Sequence, residues 1–149
     1  MISVTELLPD EVAHVDGALP LNRLGQSEED STYLVAWEDD QPLGHAHIAW
    51  SGTQLSLPEI QDVFVLPKHR RRGIATRLTD AAEEKVRERG WTRVSLSVSK
   101  DDNPTARRLY TKLGYVDAGI DPVTVSGTIL MRGRPFEVDD TLVYLVKPV

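Results

Sequence analysis

Residues 59 to 76 read Glu59-Ile60-Gln61-Asp62-Val63-Phe64-Val65-Leu66-Pro67-Lys68-His69-Arg70-Arg71-Arg72-Gly73-Ile74-Ala75-Thr76. The apolar run predicts a strand over Glu59 to Leu66, and Pro67 ends it. A basic turn follows and opens a helix at Gly73. Ile74, Leu78, Ala81, Ala82, Val86 and Arg89 recur at helical spacing, with Gly90 as the stop. Arg93 to Val98 then reads as a strand with Val94, Leu96 and Val98 on one face. Strand, helix, strand implies one parallel crossover, right-handed by the usual rule. A helix N-terminus carries unpaired N–H groups and about half a positive charge. Gly73 and Ala75 permit close approach there, and Arg70, Arg71 and Arg72 add charge. The turn therefore proposes a phosphate-bearing ligand held mainly by backbone.

Working outward, residues 2 to 6 read as a short strand. Pro9 to Ala18 reads as a helix facing a core through Val12, Val15 and Leu19. Asn22 to Asp30 is polar and fits a short helix or a loop. Thr32 to Trp37 alternates, Glu38-Asp39-Asp40 makes a turn, and Leu43 to Trp50 resumes, which predicts an antiparallel hairpin. Ser51 to Pro58 is a loop. Downstream, Asn103-Pro104 is a helix start, with Asn as cap and Pro at the first helical position. Ala106, Leu109, Tyr110 and Leu113 form its apolar stripe, and Gly114 ends it. Tyr115 to Ala118 and Thr141 to Lys147 read as the last two strands. Gly119 to Asp140 holds Pro122, Gly127, Gly133 and Pro135, and fits a long loop or a hairpin excursion. The order β-(α)-β-β-β-α-β-α-β-β gives a mixed α/β sheet rather than a doubly wound one.

The chain of 149 residues suits one domain, with a real core and no need of staples. It has no cysteine, which excludes disulfides, thiolate catalysis and thiolate metal sites. No apolar run approaches the roughly 20 residues of a membrane span, and the N-terminus does not read as a signal peptide. A soluble, cytoplasmic protein is expected. The formal charge is −6, while the basic residues concentrate between Lys68 and Arg93. A local positive patch on an acidic chain suits a small polyanion better than nucleic acid, and the acidic remainder would attract a cationic substrate.

Two segments carry a family resemblance. Arg70-Arg71-Arg72-Gly73-Ile74-Ala75 resembles the Q/R-x-x-G-x-G/A motif of the GCN5-related N-acetyltransferase (GNAT) superfamily, at the end of a strand as in that family. Asn103-Pro104-Thr105-Ala106-Arg107-Arg108-Leu109-Tyr110, then Leu113-Gly114-Tyr115, resembles its second signature, N-x-x-A-x-x-L-Y-x-x-x-G-F/Y. The clear match covers about residues 32 to 117. The resemblance implies a mixed, mostly antiparallel, splayed sheet of six to seven strands with flanking helices. It implies transfer of an acetyl or acyl group from acetyl-CoA to a primary amine, small-molecule or peptide, by direct attack in a ternary complex without a metal.

Cofactor contacts carry over by position. Backbone of Val63, Phe64 and Val65 would pair with the pantetheine arm. Amides from Arg71 through Arg72, Gly73, Ile74 and Ala75 to Thr76 would hold the pyrophosphate, with Arg70 adding charge. Asn103 would touch the pantetheine arm or help open the cleft, and Tyr110 would lie near the thioester sulfur. Amine attack builds charge on the carbonyl oxygen, which the Phe64 or Val65 N–H would stabilise. The leaving thiolate needs a proton or hydrogen bond, which the Tyr110 hydroxyl can give. Glu59 is the expected base, four residues before the Val63–Val65 stretch, where histone-acetylating members carry a catalytic Glu. Asp62 is expected to face the other side by strand parity, and water stands as the alternative. No acid lies near Ser97, where other members place one.

Plainer readings stand beside these. Asn103 also serves as a cap, and Tyr110 as a core ring. His45 and His47 share a strand face and raise a metal pair, a substrate-cleft group or simple packing. Trp37, Trp50 and Trp91 read as core or rim. Arg132 and Arg134 read as exposed, with contact to an acceptor or to a second subunit of a homodimer as the alternative. A coenzyme-A-binding regulatory module without turnover is the competing function, and nucleic-acid binding through the arginines a third.

Overall fold

Alternation along β2 (Ser31–Glu38) sorts its side chains into two cores rather than into core and solvent. Leu34 and Ala36 face one cluster, Tyr33 and Val35 the other, and all four are buried. In the computed structural model, which describes residues 1–23, 31–101, 103–131 and 134–149, β2 pairs with β3 (Gln41–Ala49) as the expected hairpin. Its turn sits at Asp39, where φ is 54°. β1 (Ile2–Glu6) adds to the outer edge of β2.

The first core lies under α2 (Ile74–Glu88). Ile74, Leu78, Ala82 and Val86 fall on one stripe and pack against Leu34, Ala46, Ile48, Ile60 and Leu96 of the sheet. The second core holds Val15, Leu19 and Leu21 on the opposite face, against Tyr33 and Val35. The helix expected over Pro9 to Ala18 is shorter, a 3-10 turn at Pro9–Glu11 running into α1 (Val12–Asp16) and stopping at Gly17. Of the polar stretch Asn22 to Asp30, all but its first two residues lie outside the described residues.

β4 (Glu59–Val65) pairs antiparallel with β3 and parallel with β5 (Arg93–Ser99). The parallel pairing is brief, Glu59 opposite Ser95 and Ile60 opposite Leu96. Past Ile60, β4 follows β3 while β5 follows β8 (Arg134–Pro148), so the sheet splays into a cleft. β4 also carries a bulge. His45 opposes Phe64 and His47 opposes Gln61, so two steps on β3 face three on β4. The additional residue bends the chain at Asp62, where φ is 50°.

α3 (Pro104–Lys112) and the two-residue β6 (Val116–Asp117) follow β5. The strand expected over Tyr115 to Ala118 is shortened because Tyr115 turns into the core at 1% exposure. Gly119 to Asp140 contains a hairpin arm. β7 (Val123–Met131) pairs along the N-terminal part of β8, from Val123 opposite Leu142 to Met131 opposite Arg134. β8 thus starts seven residues before the expected Thr141, and among the described residues the sheet has eight strands, in the order β1-β2-β3-β4-β5-β8-β6 with β7 on β8. Among the described residues, no helix is long and apolar enough to cross a membrane.

Glu83 of α2 is buried and clamps the far side of the sheet. Tyr115 Oη donates to its Oε2 at 2.8 Å, and Lys147 Nζ of β8 to its Oε1 at 2.8 Å. Gly44 of β3 marks the closest strand approach. A Cβ there would collide with the Phe64 carbonyl oxygen and stand 3.1 Å from Val65 Cα, both backbone atoms of β4. Gly44→Ala is expected to cost about 1–3 kcal/mol, read as a lower urea midpoint with an unchanged slope.

Candidate active site

Two cavities meet where the sheet splays. The first has a volume of about 620 Å³ and runs along the outer part of β4. Val63, Phe64 and Val65 form one wall, the turn from Arg70 to Gly73 and the start of α2 form its end, and α3 forms the opposite wall. Past Ile60 this edge of β4 pairs with no strand among the described residues, so its peptide groups face the cleft rather than a neighbour.

The end of this cleft is built by backbone. Arg71 and Gly73 both take left-handed conformations, φ 65° and 74°. Turns of this kind gather N–H groups into anion-binding hollows, and Gly73 caps α2 directly. A Cβ on Gly73 would meet nothing within 4 Å, so the space beside it is open. The arginines behave differently from one another. Arg70 Nε donates to the Val65 carbonyl at 3.0 Å, with its guanidinium 5.8 Å from the Phe64 ring centre. Arg71 lines the cleft, with Ile74, Ala75 and Thr76 beside it. Arg72 turns away and pairs with Glu38 at 2.6 Å, which lowers the Glu38 pKa.

α3 presents Asn103, Ala106 and Tyr110 to the cleft. Asn103 Oδ1 accepts from the Ala106 N–H at 3.1 Å, the capping bond its position predicts. Tyr110 is 8% exposed and meets Tyr115 edge-on at 5.7 Å. Burial pushes its pKa up to about 12, with a hydrogen bond to Thr79 acting in the other direction. The hydroxyl is therefore protonated throughout the neutral range.

The second cavity, about 540 Å³, adjoins the first and shares Val63, Asn103, Ala106 and Tyr110 with it. Its floor is β4 and β5, and its outer wall is the β7–β8 arm through Val125, Ile129 and Val138. Glu59 lines it at 7% exposure. Its Oε2 accepts from Gln61 Nε2 at 2.6 Å, while Oε1 is buried with no hydrogen-bond partner among the described residues. Burial raises the Glu59 pKa, and the Gln61 bond and the Arg23 charge oppose that rise.

Asp62 lines the same cavity, contrary to the expectation from strand parity, because the bulge breaks the two-residue period. It pairs with Arg23 at 2.7 Å. Asp140 sits across the cavity, its Oδ1 accepting from Ser99 Oγ at 2.9 Å. Tyr144 lies opposite Ser97 in the β5–β8 ladder. Its pKa is raised first by burial and then by the Glu59 charge.

Several of these residues escape a reading of the sequence. Arg23 lies in the polar stretch without a periodic signal. Asp140 and Tyr144 reach the cavity through long-range pairing, although Ser97 and Thr141–Lys147 read as strands. The N-terminal helix packs through Val15 against Tyr33 and Val35, on the core face its spacing predicts. His45 and His47 are both buried, and burial lowers the pKa of each. His45 stacks on Phe64 at 5.7 Å, and Tyr33 packs against both rings.

A family model described as the acetyltransferase (GNAT) family matches residues 3–115. The chain belongs to that family. It is 30% identical over 104 residues to streptothricin acetyltransferase of Streptomyces lavendulae, a match covering 70% of this chain and 54% of that protein. The chain thus spans about half the length of that relative. It is 31% identical over 130 residues to the uncharacterized N-acetyltransferase YsnE of Bacillus subtilis, covering 83% of this chain and 82% of that one. Among solved structures, a GNAT family acetyltransferase from Elizabethkingia anophelis with acetyl-CoA bound superposes with a TM-score of 0.75 over 99% of this chain and 98% of its own, at 15% identity.

Proposed function

We propose that the protein transfers an acetyl group from acetyl-CoA to a primary amine by direct attack within a ternary complex. The observation that carries this reading is the junction of the two cavities at Val63, Asn103, Ala106 and Tyr110. Cofactor in the first cavity and acceptor in the second would meet there. Backbone of Val63, Phe64 and Val65 takes the pantetheine arm, and amides from Arg71 to Thr76 take the pyrophosphate. The N–H of Phe64 or Val65 stabilises the oxyanion. Tyr110 gives its proton to the leaving thiolate. Glu59, which lines the second cavity, takes the proton of the attacking amine, directly or through a bridging water.

The acceptor cavity holds Glu59, Asp62 and Asp140 against Arg23, which favours a small cationic amine over an acidic peptide. The test is thiol release from acetyl-CoA over a panel of amines, with streptothricin included because a relative is named for it. Release with cationic amines supports the reading. Binding of acetyl-CoA with no release above hydrolysis for any amine would favour the regulatory module instead.

The base assignment has its own expected result. Glu59→Gln lowers kcat/KM about tenfold to a hundredfold, at or below the low end of general-base effects because water can carry part of the transfer. The acidic limb of the pH profile is lost with it, and the KM for acetyl-CoA stays unchanged. Because burial raises the Glu59 pKa, that limb lies above the ordinary glutamate range in the unmodified protein.

A further inference from the structure

We infer that Gln61 and His47 are positioning residues that hold the Glu59 carboxylate through one oxygen and so fix its orientation at the cavity floor. The inference rests on Glu59 acting as the base. Gln61 Nε2 donates to Glu59 Oε2 at 2.6 Å, and Gln61 Oε1 lies 3.1 Å from His47 Nδ1. Gln61 stands two residues from Glu59 on β4, before the bulge, so both project to one face. His47 is the cross-strand partner of Gln61.

Chemistry fixes each proton in this chain. An ionised carboxylate only accepts, so the Gln61 amide must turn its nitrogen toward Glu59. Its oxygen then needs a donor, which requires the proton of neutral His47 to sit on Nδ1. Were the amide reversed, two acceptor oxygens would face each other at the same short distance. His47 is 4% exposed and its ring lies 4.8 Å from that of Tyr33. The order runs outward from the core: Tyr33 packs His47, His47 sets the Gln61 amide, and Gln61 anchors Glu59. Such support behind a reacting group keeps it within the narrow geometry proton transfer needs.

Other charged or titratable groups face the same cavity: Arg23 before β2, Asp62 on the bulge, Tyr110 on α3, and Asp140 and Tyr144 on β8. None of them shares a hydrogen bond with Gln61 among the described residues. Their fields persist in any variant of Gln61, so a change in that side chain is read against a constant background.

Two readouts test the inference: a carbon-13 NMR titration of the Glu59 carboxyl, assigned by its loss in Glu59→Gln, and the acidic limb of kcat/KM with the fastest amine of the panel. Gln61→Met removes the donor and is expected to raise both midpoints by about one pH unit, with the KM for acetyl-CoA unchanged. His47→Leu raises them by less, and His47→Asn, which can still donate to Gln61, restores them. The double variant Gln61→Met/His47→Leu goes no further than Gln61→Met alone, because His47 acts through Gln61. A carboxyl titration that does not move in Gln61→Met, or a double variant whose shifts add, overturns the positioning role alone. A carboxyl titration that moves while the kinetic limb stays overturns the base assignment and the inference with it. If Gln61→Met does not fold, the contrast between His47→Leu and His47→Asn decides: a shift in the first and none in the second supports the role, and equal behaviour overturns it.

Discussion

Tyr110→Phe is expected to lower kcat about 10²–10³-fold while leaving acetyl-CoA affinity within about twofold, a split that single-turnover kinetics and calorimetric titration resolve. The argument starts from where the ring sits. Tyr110 is buried, packs edge-on against Tyr115 and lines both cavities. Phenylalanine keeps that packing and removes only the hydroxyl. On the proposed mechanism the departing thiolate takes its proton from this hydroxyl, so its loss falls on the chemical step. With the pKa of Tyr110 pushed up to about 12, the hydroxyl keeps its proton as pH rises through 8 and 9. The unmodified protein therefore shows no decline in kcat from this group in that range. A kcat in Tyr110→Phe within threefold of the unmodified value would remove the tyrosine from the mechanism.

Gly73→Leu acts at the other end of the cleft and on the other kinetic constant. Gly73 holds φ at 74° as the cap of α2. A leucine there bears strain of about 1 kcal/mol, small enough to leave a folded protein. Its side chain would enter space that is empty in the protein but adjoins the amides assigned to the pyrophosphate. The expected outcome is a rise of 10²-fold or more in the dissociation constant for acetyl-CoA, about 2.7 kcal/mol, with a small loss of thermal stability. Arg72→Ala is a useful contrast, since Arg72 is held by Glu38 and does not line the cleft. Retained affinity in Gly73→Leu would disprove the pyrophosphate assignment.

These two sites differ in how plainly the sequence announces them. The strand, turn and helix from Glu59 to Glu88 are local, and each carries its own signal: a β-branched run, a proline, a glycine, then apolar residues at helical spacing. The Asn103 cap is legible for the same reason. What the sequence hides is set by partners far along the chain. The bulge at Asp62 follows from the fit of β4 to β3, and it reverses the parity that seemed to send Asp62 away from the cavity. Arg72 reads as a phosphate ligand until Glu38, thirty-four residues earlier, claims its guanidinium. Gly127, Gly133 and two prolines make 119 to 140 look irregular, yet the alternating Val123, Val125 and Ile129 belong to a strand whose partner begins at Arg134. Arg23 meets Asp62 only because the second core brings the end of the N-terminal segment under the sheet.

The β7–β8 arm has a consequence for how such a protein diversifies. Residues of the arm line the second cavity, and among the described residues none of them lines the first. Its anchorage to the rest of the sheet runs through the later half of β8, on β5 and β6, and the Ser99–Asp140 bond, while the first cavity is built from β4, α2 and α3. On the proposed assignment, the two cavities share Val63, Asn103, Ala106 and Tyr110, and the arm adds wall to the second alone. A chain carrying a different 123–140 segment is therefore expected to change its amine preference while keeping its affinity for acetyl-CoA.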